Sequence, residues 1–374
     1  MINAFILELK EIRNSFFLFS LLTWIPLLSS IIVISIFYKG VATKLPIVVV
    51  DNDRSQLSRE IIKNINSNQA LHVEGIELDI KSASKLIRSS KVYAMVEIPA
   101  HFEKDTIQKK QPNITAFVNT QYILIGKMIS AALSGTIRES SARVDFANNL
   151  INDGQTRSAI FLTAPINVQI TPYFNTYKNY FLFLVSAILP TIWQILIVVA
   201  LIVSFGKTFK EKKEDIFFKN RNIFAAVIGK TLPYTFAYMG WGIMFLLYMY
   251  GVQPWEFQGS FALTIFAMFL TLLAYEGVAL SFFTINFHQT RALSLAAVYT
   301  APAFAFLGIT FPVSSMPEFA HIWHNLLPIS HYLKLQISQA SYGTPLYEVI
   351  PILKNLLYFL PVWFIVIFKI RRKV

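Results

Sequence analysis

Apolar runs too long for a soluble core helix alternate along the chain with stretches in which charges recur every few positions. Residues 1–14, MINAFILELKEIRN, set Ile2, Phe5, Ile6, Leu9 and Ile12 on one helical stripe and Glu8, Lys10, Glu11 and Arg13 elsewhere. This predicts a helix lying in a membrane interface, marked by Phe5, Leu9, Ile12 and Arg13. Residues 15–38 hold an apolar run, Ser15 to Phe37, long enough to span, and its Pro26 is tolerated in a membrane helix. A cleaved leader is the rival reading, because Gly40-Val41-Ala42 has the small residues of a cleavage site, but the run is too long and what precedes it too acidic.

Between residues 39 and 179 the pattern changes, and no spanning run occurs. Leu45–Val50 is β-rich and ends in the turn residues Asp51-Asn52-Asp53, while Ser55–Asn68 puts Leu57, Ile61, Ile62 and Ile65 on one helical face. A helix near Ser82–Ser89, a strand at Val92–Ile98, a short helix after Pro99 and a strand at Ile114–Asn119 continue the alternation. A helical pattern through Gln121–Asn152, a strand at Val168–Ile170 and the interfacial aromatics Tyr173, Tyr177 and Tyr180 complete a small α/β domain.

Residues 180–374 return to spanning runs: Tyr180–Phe205, Leu232–Val252, Ser260–Ile285, Ala292–Phe311 and Val349–Phe368. With the first run they make about six spans. Residues 312–348 are too rich in proline for a simple span and too apolar for a free loop, which suits a re-entrant cap on the outer side. The loop 206–231 is basic: the stretch Phe205–Pro233 sets Lys207, Lys210, Lys212, Lys213, Lys219, Arg221 and Lys230 against Glu211, Glu214 and Asp215. Such a loop belongs in the cytoplasm, as do Lys369, Arg371, Arg372 and Lys373 at the C-terminus. An even number of spans puts the N-terminus there too and makes domain 39–179 external.

Composition agrees. Of 374 residues 55% are hydrophobic and only 14% charged, and the mean hydropathy is +0.51, so this is an integral membrane protein. A net charge of +12 without a lysine-arginine block speaks for membrane orientation and against nucleic acid. Zero cysteines exclude disulfides, thiolate metal sites and cysteine nucleophiles.

Candidate chemistry is sparse. Gly229-Lys230-Thr231 imitates the end of a phosphate-binding loop, but position 224, where that loop needs glycine, is Phe, so Lys230 reads as a lysine at the cytoplasmic end of a span. His321, His324 and His331 have only Glu318 as a nearby carboxylate, which favours interfacial polar groups over a metal site. No catalytic residue emerges. Glu276 lies inside an apolar run, where an ionisable group faces protein or a water-filled cavity or else reaches the span end; Lys354 is its candidate partner and a transport pathway its candidate role.

Three features together resemble a type-2 ABC exporter permease of the branch with a large external domain after the first span. They are Gly308-Ile309-Thr310-Phe311-Pro312 with Met316-Pro317, then Leu327-Pro328-Ile329-Ser330-His331-Tyr332, and the charged loop ending in Gly229-Lys230. The likeness covers the whole chain in layout. It implies an α-helical polytopic membrane protein that exports a hydrophobic or amphipathic substrate such as a drug or lipid, with a separate ABC ATPase subunit holding ATP and magnesium. It also implies a second permease copy or a paralogue as partner, a periplasmic adaptor where the cell has an outer membrane, and a place among the lipids of a bacterial inner membrane. ATPase coupling maps onto Lys212, Lys213, Glu214, Asp215, Phe217, Phe218 and Arg221, with the interfacial helix beside it, and the outer cap onto Gly308, Pro312, Pro317, Pro328 and His331. The loop departs from the family in following its acidic pair Glu214-Asp215 with Ile216-Phe217 instead of a Gly-Thr step. A membrane-anchored receptor or scaffold is the alternative, though it needs only one or two spans.

Overall fold

In the computed structural model, which describes all residues except 41, 109, 154–178, 180, 219–221 and 254, the chain opens with helix α1 (Ile2–Asn14). A bent pair follows, α2 (Phe16–Leu22) and α3 (Trp24–Phe37), with 43° between them. The cause is Pro26: it has no N–H to give to the Leu22 carbonyl four residues back. That carbonyl accepts instead from Trp241 Nε1 at 2.8 Å, and the Leu21 carbonyl accepts from the Tyr238 hydroxyl at 3.1 Å. The expected strand Val168–Ile170, the aromatics Tyr173, Tyr177 and Tyr180, and the loop residues Lys219 and Arg221 lie outside the described residues.

Val41–Thr171 form one of two units of the chain. Its described elements are β1 (Leu45–Asp51), α4 (Gln56–Ser67), β2 (Leu71–Glu77), α5 (Ile80–Arg88), β3 (Ala94–Ile98), α6 (Phe102–Ile107), β4 (Thr115–Val118) and α7 (Ile123–Asp153). The sheet order is β2-β1-β3-β4, with the first three strands parallel and β4 antiparallel to β3. Helices cover both faces, which explains why β1 is apolar at nearly every position. Ile47 and Val49 pack with Ile61 and Ile65 of α4 and with Ile129 and Leu133 of α7, while Val48 and Val50 meet Ala83 of α5. At the end of β1, Asp51 locks the turn into α4: Oδ1 accepts from the backbone of Asp53 (3.1 Å) and Arg54 (2.9 Å), and Oδ2 from Ser58 Oγ (2.8 Å).

The other unit joins Met1–Gly40 to Pro172–Val374. After α3 it contains α8 (Ser186–Lys210), α9 (Glu214–Phe218), α10 (Ile223–Leu247), α11 (Phe261–Asn286), α12 (Gln289–Thr300), α13 (Ala303–Phe306), α14 (Glu318–Leu326), α15 (Pro328–Ile337), α16 (Leu346–Leu357) and α17 (Val362–Lys373). Helix α11 is apolar all round and accordingly buried, packed by α8, α10, α12, α15 and α17. Single π-helical turns occur at Phe181–Val185, Tyr248–Val252 and Ser338–Tyr342.

Among the described residues four helical stretches are long and apolar enough to cross a membrane: Phe181–Lys210, Ile223–Val252, Phe261–Asn286 and Leu346–Lys373. The bent pair α2–α3 supplies up to a fifth. The expected span Ala292–Phe311 is not one helix. It divides into α12 and α13, because Pro302 cannot continue the ladder. At 12 residues α12 is about 18 Å long, well short of a hydrocarbon core of roughly 30 Å.

Replacing Asp51 by alanine strands two backbone N–H groups and leaves the buried Ser58 hydroxyl only the Ser55 carbonyl. We expect the α/β unit to lose about 2–3 kcal/mol of stability. Hydrogen exchange on the full chain checks this through faster exchange in β1 and α4, with exchange in α8 and α11 unchanged.

Candidate functional site

Helix α1 divides into a face against the bundle and a face left open. Every fourth residue, Ala4, Glu8 and Ile12, is buried against the bundle, while Ile2, Ile6, Leu9 and Arg13 are exposed and Phe5 is half-buried with its ring 6.5 Å from that of Phe236. The apolar stripe is therefore left to the surroundings and a carboxylate points inward. Glu8 is 0% exposed: its Oε1 accepts from Ser204 Oγ of α8 and from the Tyr234 hydroxyl of α10, both at 2.6 Å, and its Oε2 is ion-paired with Lys230 Nζ.

The cation is equally enclosed. Lys230 is 1% exposed, and its ammonium also lies over the rings of Phe217 at 4.1 Å and Phe205 at 5.2 Å. Lys230 and Tyr234 stand one turn apart on α10, so both reach the same carboxylate. Gly229 makes the approach possible, because a Cβ there would collide with the Met1 carbonyl. Lys230 thus lies inside the protein rather than at a solvated span end, and Gly229-Lys230-Thr231 lies within a helix.

A second, more exposed layer of charge sits beside the first. Glu11 Oε1 bonds Lys213 Nζ at 2.7 Å and Oε2 bonds Lys207 Nζ at 3.0 Å, while Lys213 also holds Glu211 at 2.7 Å. Partial burial pushes the Glu11 carboxyl up, but the hydrogen bonds from Lys213 and Lys207 outweigh it and hold it below the ordinary glutamate range. The hydrogen bonds to Glu11 and then Glu211 push the Lys213 ammonium up to about 12. Helix α1 is in this way tied to both sides of the turn between α8 and α9, where Lys212 takes the left-handed conformation (φ 54°).

The expected coupling residues divide by exposure. Lys212 and Asp215 are exposed, Lys213 and Glu214 half-buried, and Phe217 and Phe218 fully buried. The two phenylalanines belong to a ring cluster with Phe205 and Phe209, so they shape the loop from beneath instead of offering a docking surface. The apolar groups that do face outward here are Ile216 and Phe224, each 54% exposed. The cluster continues from Phe209 to Phe287 at 5.1 Å, over which Lys373 of the C-terminal helix lies at 5.9 Å. Both chain ends and the basic loop therefore meet at one end of this unit.

Glu276 is buried in α11, with Oε1 accepting from Thr235 Oγ1 at 2.7 Å and Oε2 without a hydrogen-bond partner. Its expected partner Lys354 is exposed, and Thr235 takes that place. In the cap segment Gly308 has φ 80° beneath the Val313 side chain, Pro312 and Pro317 stand just before a 3-10 turn (Val313–Ser315) and α14, and Pro328 is the first residue of α15. His324 Nδ1 and His331 Nε2 each bond a backbone carbonyl, of Phe306 (2.7 Å) and Asn325 (3.1 Å). Among the described residues no group of three potential metal ligands occurs.

A family model described as ABC-2 family transporter protein matches residues 15–369. The chain belongs to the ABC-2 transporter family. It is a multi-pass membrane protein and a permease of an ABC transporter, and the family implies a partner ATPase subunit. No curated protein matches the permease.

The permease's most enclosed charges, Glu8 and Lys230, were not paired by sequence reasoning. A partial signal existed: a lysine seven residues into the apolar helix α10 demands a counter-ion, although nothing in the residues picks Glu8 of α1 over the nearer Glu214, Asp215 or Glu276. Removing one partner leaves a buried charge uncompensated. Glu8→Gln is expected to destabilise the permease by about 3–5 kcal/mol, whereas Glu8→Leu combined with Lys230→Met costs much less. Thermal unfolding in detergent of the single and double variants checks the difference.

Proposed function

We propose that this permease subunit exports a hydrophobic or amphipathic substrate, a drug, lipid or similar molecule, across the inner or plasma membrane. The separate ATPase binds ATP and magnesium and docks on the exposed groups Lys212, Asp215, Ile216 and Phe224. Closure of the ATPase pushes on α9, and the α1–α8–α10 junction carries that push into the spans. The substrate passes along the interface with a second permease copy or a paralogue, which opens and closes in response.

The observation that carries this reading is the junction itself, a buried ion pair behind a loop whose exposed rim mixes charge with apolar groups. Orientation follows from charge. The end that holds Lys207, Lys210, Lys212, Lys213 and Lys373 is the cytoplasmic one, so both termini are cytoplasmic and unit 41–171 is external, where a periplasmic adaptor docks in cells with an outer membrane. Six crossings fit this arrangement. Phe287 lies at the basic end, while Leu346 starts beside Gly259 and Ser260 at the other, so α12 through α15 cover one crossing in pieces. Glu276 is then a polar group of the transport half, lodged between α10 and α11.

Inside-out vesicles carrying the permease and its ATPase test this. ATP is expected to drive a fluorescent amphiphile into the lumen, and Ile216→Asp with Phe224→Asp to lower that uptake about tenfold or more, the loss of roughly 1.4 kcal/mol of docking energy. Uptake confined to right-side-out vesicles reverses the direction, and wild-type uptake in the double variant moves the docking site elsewhere.

A further inference from the structure

Away from the basic end, a narrow, partly open cleft lies between α8, α10, α11 and α15, so tight that its walls must part to admit more than a water-sized group. Its wall is apolar, made by Leu189, Phe245, Leu246 and Met268 with the face of Trp193, whose Nε1 is already committed to the Tyr238 carbonyl at 2.8 Å. No charged side chain lines it. Two polar atoms interrupt the wall. The Tyr332 hydroxyl and Gln336 Oε1 are buried and have no hydrogen-bond partner, on residues that are 1% and 2% exposed. A buried donor and a buried acceptor left unmatched in one apolar cleft each carry an uncompensated desolvation penalty, which a matching ligand would recover.

The surrounding backbone is built to adjust. Val185 of the first π turn and Met249 of the second line the cleft, and Gln336 stands two residues before the third. Such turns recur at functional sites because a helix can shift its register there at low cost. Pro190 also leaves the Ser186 carbonyl without its helical N–H, and Gln336 Nε2 supplies a donor at 3.3 Å while reaching the Tyr250 hydroxyl at 3.3 Å. One side chain thus ties together the walls of the cleft.

We propose that this cleft binds a slender, uncharged amphiphile: an alkyl chain ending in a hydroxyl that accepts from Tyr332 and donates to Gln336 Oε1. The chain lies along Leu189, Trp193 and Leu246, and the apolar lining excludes a charged head. Binding here requires neither ATP nor the partner, so this site and the export reading fail separately.

Photolabelling of the full permease in lipid nanodiscs tests the site, with two probes: a diazirine-bearing alkanol and the matching diazirine-bearing alkane. Alkanol adducts are expected on Leu189, Leu246 or Met249. Tyr332→Phe removes only the hydroxyl, so it lowers alkanol labelling there about fivefold, the worth of one hydrogen bond, and leaves alkane labelling unchanged. Leu246→Trp fills the cleft and lowers both. Alkanol adducts spread equally over the exposed Phe236 and Val298, or a Tyr332→Phe effect that is absent or the same for both probes, overturns the proposal.

Discussion

A carboxylate and an ammonium enclosed together at the end of an apolar bundle constrain everything around them. Taken from water singly, Glu8 and Lys230 each carry a penalty of several kcal/mol, and only mutual contact, the hydroxyls of Ser204 and Tyr234 and the aromatic faces of Phe205 and Phe217 offset it. Helix α1 therefore cannot leave α10 without stranding two charges. The outer pairs of Glu11 with Lys207 and Lys213 are partly solvated and contribute less, about 0–1 kcal/mol each. They set the position of the α8–α9 turn, whereas the buried pair decides whether the junction holds.

The rest of the bundle relies on a different device. Prolines in α3 and α8 release carbonyls that side chains from other helices then satisfy: Trp241 serves Leu22, and Gln336 serves Ser186. These bonds join helices laterally without fixing them as rigidly as a charge pair. The three π turns lie around or next to the same cleft, so adaptable backbone is concentrated away from the charge-locked end. The bundle thus combines a charge-locked end with a region of adaptable backbone.

Much of this was legible in the residues. The long apolar runs, the β-rich stretch Leu45–Val50 and the basic loop follow from periodicity and charge alone. Three things were not. Amphipathicity predicted a helix for α1, yet not which face meets protein, because a half-polar helix satisfies lipid and protein equally well, and burial of Glu8 depends on partners 196 to 226 residues away. Phe217 and Phe218 were mapped to ATPase coupling with the charged residues around them, but the ring cluster beneath recruits them and leaves Ile216 outside. The run Ala292–Phe311 breaks at Pro302 for a local reason: hydropathy integrates over a window and does not register a single missing N–H.

The central claim is that α1 and the α8–α9 turn, joined through Glu11, move as one body. The chain has no native cysteine, so spin labels at Arg13→Cys and Lys212→Cys, both exposed, report on this pair of elements alone. Pulsed electron resonance on the permease with its ATPase, nucleotide-free and trapped with ATP, measures the distance between them. A single narrow distribution that stays in place between the two states is the expected result; a shift, or a second population in which the labels separate, contradicts it.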